Sequence, residues 1–184
     1  MGRVVNAVGS DMEGAVLRSL PSDLTAVRQA RDVVQRVLHN WRADEIFDDV
    51  VLVASELVAN ALRHGLRVDQ PAGADEPASS SRRIAGPLIP TQIGDRNAVQ
   101  ISLVSTGSHV ICAVTDPSEA PPVRQCADPF AGSGRGLQLV ESLSLCWGWT
   151  LLDGDPGAAA VQGKSVWAIF PLAMAGRARV VGAA

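Results

Sequence analysis

Glu56 and Asn60 stand four residues apart in the run Asp49–Gly65, an acid and an amide in a stretch that is otherwise almost entirely apolar. At about 100° per residue, Asp49, Glu56, Asn60 and Arg63 fall on one narrow stripe of a helix. A helix that is apolar nearly all round is normally buried. An unpaired carboxylate is costly to bury. The stripe is therefore expected to face a polar cavity, where an acid, an amide and a base at these spacings suit a metal–phosphate ligand. The same spacing also fits a solvent-facing stripe on an ordinary core helix.

A second stretch, Gly132-Ser133-Gly134-Arg135-Gly136-Leu137, favours the first reading. Glycines let a backbone approach closely and expose its amides, and a helix N-terminus attracts anions. Three glycines ahead of a helical pattern make a phosphate cradle. This is not the dinucleotide fingerprint, because Leu137 stands where that pattern needs glycine and no strand leads directly into it. Gly163-Lys164-Ser165 looks like the end of a P-loop. That motif needs glycine at position 158, which is Ala158, and the following Val166–Phe170 reads as a strand rather than a helix. His39, His64 and His109 support neither a Ser-His-Asp triad nor a metal-only site. His64 closes the Glu56 helix, either beside the ligand or in a helix-terminal role.

Length and composition bound the rest. The chain has 184 residues, 47% of them hydrophobic, enough for one domain with a real core. A net charge of −3 gives no reason to expect direct contact with nucleic acid or an anionic membrane. Cys112, Cys126 and Cys146 are odd in number and lack CxxC spacing, which fits a reducing compartment. Cys112 and Cys146 lie in apolar runs and are expected in the core. With no signal-peptide pattern and no apolar run of about 18 residues, a cytoplasmic location is expected.

Residues 1–12 and 173–184 are expected to be flexible, flanking a domain over 13–172. A first strand is expected over Glu13–Leu20. A helix follows, capped by Ser22 or Asp23 and running to about Trp41, with Leu24, Val27, Ala30, Val34, Val37 and Leu38 as its apolar stripe. Its arginines at 28, 31, 36 and 42 form a solvated face or bind an acidic partner. The Glu56 helix runs from Asp44 to Gly65. Residues 67–97, rich in Pro, Gly, Ala, Ser and Asp, read as a mobile insertion. Val99–Ser105 and His109–Thr115 form a hairpin. The proline-rich loop 117–131 leads to a helix from Arg135 to about Leu145, then strands at Trp147–Leu152 and Ser165–Leu172. Strands that follow one another without helical crossovers point to an α+β fold with a mostly antiparallel sheet.

Taken together, these segments resemble a known family. Glu56-Leu57-Val58-Ala59-Asn60-Ala61 is similar to the N-box of the GHKL, or Bergerat-fold, ATPases and kinases. Gly132 to Leu137 resembles their G2 box, Asp116 occupies the G1 aspartate position, and Gly163-Lys164-Ser165-Val166-Trp167 looks like the closing strand. Small size points to the anti-sigma-factor serine kinase branch, the solitary ATP-binding regulators. The resemblance covers roughly residues 15–172. It implies a two-layer sandwich, a mixed, mostly antiparallel sheet covered on one face by about three helices.

It also implies ATP and Mg²⁺. Asn60 would coordinate the metal and Glu56 would orient or deprotonate the attacking hydroxyl. Arg63 would approach a phosphate, and Asp116 would accept a hydrogen bond from the adenine amino group. Gly132, Gly134 and Gly136, with Arg135 and Leu137 in the same box, would bind the phosphates. Ser165 would support the adenine end, and residues 117–134 would form an ATP lid. The implied activity is serine/threonine phosphorylation by an anti-sigma factor that switches between a sigma factor and a STAS-type anti-anti-sigma protein, with homodimerisation expected. An ATP-binding interaction module without phosphotransfer is the rival, and a detached histidine-kinase catalytic domain a third reading. The family's G1 glycines are replaced here by Pro117, Ser118, Glu119 and Ala120.

Overall fold

The computed structural model describes residues 12–66, 98–123, 135–152 and 163–173. The elements run β1 (Gly14–Leu20), α1 (Thr25–Trp41), α2 (Phe47–Asn60), β2 (Val99–Ser105), β3 (His109–Asp116), α3 (Gly136–Leu143), β4 (Cys146–Leu151) and β5 (Lys164–Pro171). A 3-10 turn, Asp44–Ile46, leads into α2, and a π-helical turn, Ala61–Gly65, continues it. The expected insertion over 67–97 and nearly all of both expected flexible termini lie outside the described residues.

α1 starts where Asp23 Oδ1 accepts the Thr25 backbone N–H at 2.8 Å. It ends at Arg42, whose left-handed backbone (φ 54°) turns the chain while its N–H reaches the His39 carbonyl. Ala26, Ala30, Val33, Val34, Val37 and Leu38 are buried at helical spacing. Leu24 does not join them: it precedes the first helical residue and is 86% exposed. Arg31 is exposed with the rest of the expected solvated face, yet it also reaches across to α2. Its Nε donates to Ser55 Oγ at 2.8 Å, and that hydroxyl donates to the Val51 carbonyl at 2.7 Å. α1 is thereby tied to α2 one residue before Glu56.

The sheet order is β1-β2-β3-β5-β4, and every pairing among the described strands is antiparallel. The expected mixed character is absent among them. The pleat sends alternate residues to opposite faces. Val99, Ile101 and Leu103 of β2, Val110, Cys112 and Val114 of β3, and Val166, Ala168 and Phe170 of β5 merge with the apolar sides of α1 and α2 in one core. Val104, Ile111, Ala113 and Trp167 form a separate cluster on the other face. The result is a two-layer α+β sandwich with its helices on one side of the sheet. At edge strand β4, Gly148 lies directly across from Trp167, where a Cβ would stand 2.6 Å from the indole ring. Cys112 is buried, and burial pushes its thiol pKa up to about 12. Cys146, expected in the core, is exposed because it opens the edge strand rather than lying within it. No helix among the described residues is long and apolar enough to cross a membrane.

Phe170 is 1% exposed at the centre of the main core. Phe170→Ala is expected to lower stability by about 3–5 kcal/mol, read as a drop in the urea midpoint at unchanged slope. An unmoved midpoint would place Phe170 outside the core.

Candidate functional site

α2 carries the site because it is buried on most of its surface and polar on one stripe. Val50, Val53, Ala54, Ser55, Leu57 and Val58 are buried, whereas Asp49, Glu56 and Asn60 are half-exposed. Glu56 and Asn60 meet the first residue of α3. A Cβ on Gly136 would lie 2.7 Å from Glu56 Oε2, 3.3 Å from Asn60 Nδ2 and 3.7 Å from Asn60 Oδ1. Only glycine fits there without pushing the acid and the amide aside. α3 begins with no side-chain cap on its first amides, so a helix N-terminus, a carboxylate and an amide converge at one point.

The turn that continues α2 past Asn60 meets β3. The chain leaves Asn60 through the π-helical turn, and Gly65 closes that turn against Asp116. A Cβ on Gly65 would lie 2.6 Å from the Cβ, Cγ and Oδ1 of Asp116. π-helical turns are rare and concentrate at functional sites. Arg63 and His64 lie within this turn and are exposed.

Asp116 is 3% exposed at the end of β3. Its Oδ1 accepts the Ser118 backbone N–H at 3.0 Å and the Lys164 ammonium at 2.8 Å. Lys164 Nζ also donates to the Ser118 carbonyl at 3.1 Å, so the pair clamps the first turn of the loop after β3. That turn is held by these bonds where the sequence lacks the glycines of the G1 box. Burial raises the Asp116 pKa above 3.8, opposed by the Lys164 charge, the Lys164 and Ser118 hydrogen bonds and the His64 imidazole.

Ser165 requires a correction. Lys164 is registered against Asp116, and Ser165 against Thr115 on β3 and Thr150 on β4. Directly opposed residues share a face, and successive residues alternate. Lys164 therefore shares the helix-covered face with Asp116, while Ser165 points to the opposite face with Trp167. Its hydroxyl is buried and has no hydrogen-bond partner among the described residues. The residue beside Asp116 is Lys164, which motif reading passed over as part of a false P-loop. A usable signal was present: the sole lysine of the chain sits inside an apolar strand, where an ammonium needs a carboxylate.

Leu137 is buried behind Gly136, and Arg135 is exposed at the start of α3. Gly132 and Gly134, with most of the expected lid, lie outside the described residues. No group of three His, Cys, Asp or Glu side chains among the described residues could hold a metal by itself. The oxygens of Glu56 and Asn60 around Gly136 do fit Mg²⁺, which binds through one or two protein oxygens and takes its remaining ligands from phosphates and water.

Comparison with known proteins agrees with this geometry. The family model described as histidine kinase-like ATPase domain matches residues 20–145, well over half of the chain. The match holds Glu56, Asn60, Asp116 and Gly136 and stops before β4 and β5. No curated protein matches the chain.

The raised pKa of Asp116 has a definite sign. Above 3.8 and up to its folded value, the folded chain holds a proton that the unfolded chain has lost. Its contribution to stability is therefore full below 3.8 and lost as pH rises through the folded value. Carboxyl NMR of Asp116 is expected to give a midpoint above 3.8. A lower midpoint would mean that the Lys164 pair outweighs burial.

Proposed function

The chain belongs to the histidine kinase-like ATPase domain family, an ATP-binding domain, and from that premise we propose a serine/threonine protein kinase that acts as an anti-sigma factor. It would hold a sigma factor and phosphorylate a serine on a STAS-type anti-anti-sigma protein, as a homodimer and with ATP and Mg²⁺. The observation that carries the reading is the contact of Gly136 with Glu56 and Asn60. It puts a carboxylate, an amide and a helix N-terminus around one point.

Phosphoryl transfer is mostly positioning and electrostatics. The amides at the start of α3 receive the phosphates, and Arg63, exposed in the turn after α2, approaches one of them as the family resemblance implies. Asn60, through its amide oxygen, is the residue that would hold Mg²⁺, with Glu56 beside it. When bound, the metal supplies charge neutralisation between the phosphates. Glu56 orients the serine hydroxyl and takes its proton, for which it must come within hydrogen-bond reach of that oxygen. Asp116 meets the base at the far end of the π-helical turn.

A second reading, nucleotide binding without phosphotransfer, draws on the loop after Asp116, where Lys164 and Ser118 occupy the carboxylate. Labelled ATP, Mg²⁺ and a STAS-type substrate separate the two. The kinase reading expects label on the substrate, abolished by Glu56→Ala at unchanged ATP affinity, while Asn60→Ala and Gly136→Ala weaken ATP binding itself. Transfer that persists in Glu56→Ala would remove the proposed base, and no transfer at all with intact binding would leave the second reading. Mg-ATP at 100 times its Kd is expected to add about 2.7 kcal/mol to the stability of the wild type.

A further inference from the structure

β1 is an edge of the sheet among the described strands, and α1 packs beside it. The neighbouring hairpin fixes which of its backbone groups are unpaired. The Thr106 N–H donates to the His109 carbonyl. Val104, Ser102 and Gln100, at even spacing from Thr106, therefore turn their backbone groups toward β3. Ser105, Leu103, Ile101 and Val99 turn theirs toward β1, where they meet Gly14, Val16, Arg18 and Leu20. That leaves the N–H and C=O of Ala15, Leu17 and Ser19 pointing away from the sheet. Ala15 and Ser19 are exposed. Arg18 Nη1 donates to the Leu17 carbonyl at 2.9 Å, which agrees with a carbonyl that β2 does not use.

Beside this edge lies a groove of about 250 Å³, lined by Arg18 and Ser19 of β1 and by Gln29, Asp32, Val33 and Arg36 of α1. The four α1 residues follow helical spacing, so one stripe of the helix faces the edge strand. Arg18 lies on the helix-covered face, since it is registered against Ile101 of the core. The guanidiniums of Arg18 and Arg36 have no carboxylate partner among the described residues, and each donates to a backbone carbonyl, Leu17 and Asp32 respectively. Two guanidiniums against the one carboxylate of Asp32 leave the groove positive.

We propose that the groove between β1 and α1 binds an acidic extended segment of a partner protein, which adds to β1 as a new edge strand. The outward groups of Ala15, Leu17 and Ser19 take its backbone. Alternate side chains of an added strand point to the helix side and enter the groove, where carboxylates meet Arg18 and Arg36. The Arg18 guanidinium passes from the Leu17 carbonyl to a partner carboxylate, and a partner N–H replaces it on the carbonyl. The chain's own start suits the groove less well, since it carries Arg3 and no acid before Asp11. Nucleic acid would leave the backbone groups of the edge unpaired. Binding of this kind needs neither ATP nor Glu56.

The test follows the amide NMR spectrum of the full chain during titration with a seven-residue peptide, the length of β1, that alternates glutamate and threonine. Saturable shifts are expected at Ala15, Leu17 and Ser19. Arg36→Gln is expected to raise the Kd by roughly three- to tenfold, the worth of one charge-assisted contact at an exposed site, and glutamine in place of the peptide's glutamates by at least as much. Ser19→Pro removes an outward N–H and keeps the bonds to β2, and is expected to weaken binding by roughly tenfold. A peptide methylated on its backbone nitrogens is expected to lose binding to the native protein, which decides the matter if Ser19→Pro fails to fold. Equal binding of the glutamate and glutamine peptides, shifts that avoid β1 and α1, or no shifts at all would overturn the proposal. Loss of a dimer in Ser19→Pro, read by analytical ultracentrifugation, would give the edge to a second copy and overturn it as well. ATP affinity is expected to be the same in Arg36→Gln and wild type, so the nucleotide site is judged separately.

Discussion

The structure depends on two close approaches to one helix. Glu56 and Asn60 must meet the start of α3, and the turn that follows them must meet Asp116. Each approach has a glycine at the contact, Gly136 in one and Gly65 in the other, and at each a Cβ would fall within 3 Å of a carboxylate oxygen. Side-chain bulk at either point would separate the polar groups and open the fold. α2 thus works as a ruler. Its apolar sides fix it against β3 and α1, and its polar stripe is left facing the only partners that can use it.

The π-helical turn sets the length of that ruler. Asn60 and Gly65 are five residues apart, the span of one i→i+5 turn. The widened turn puts the α3 contact at one end and the β3 contact at the other. The α3 N-terminus and the β3 carboxylate are thus both brought to one continuous stretch of chain.

The carboxylate end differs from what motif reading suggests. The acceptor is paired with a buried ammonium, and the loop after it is fixed by that pair rather than by glycines. The pair resists separation because both charges have left water. Burial and the ion pair act on Asp116 in opposite directions, so its protonation and its hydrogen-bonding character are set by a balance between them. Its chemistry cannot be read from Asp116 in isolation.

Sequence by itself determined the element order and the helix with its acid and amide, because helical and strand periodicities are local properties of the chain. It also marked Gly136, through the run of glycines ahead of a helix, while Asp116 was marked by the family resemblance. Tertiary structure alone decided three things. A π-helical turn continues α2 past Asn60, since a change of helix type leaves no periodic signature. Arg31, exposed as expected, also found a partner in Ser55, 24 residues away. Lys164 rather than Ser165 came to face Asp116, because a strand has period two and a shift of one residue reverses its faces. Register is fixed between strands, and no stretch of chain read singly carries it.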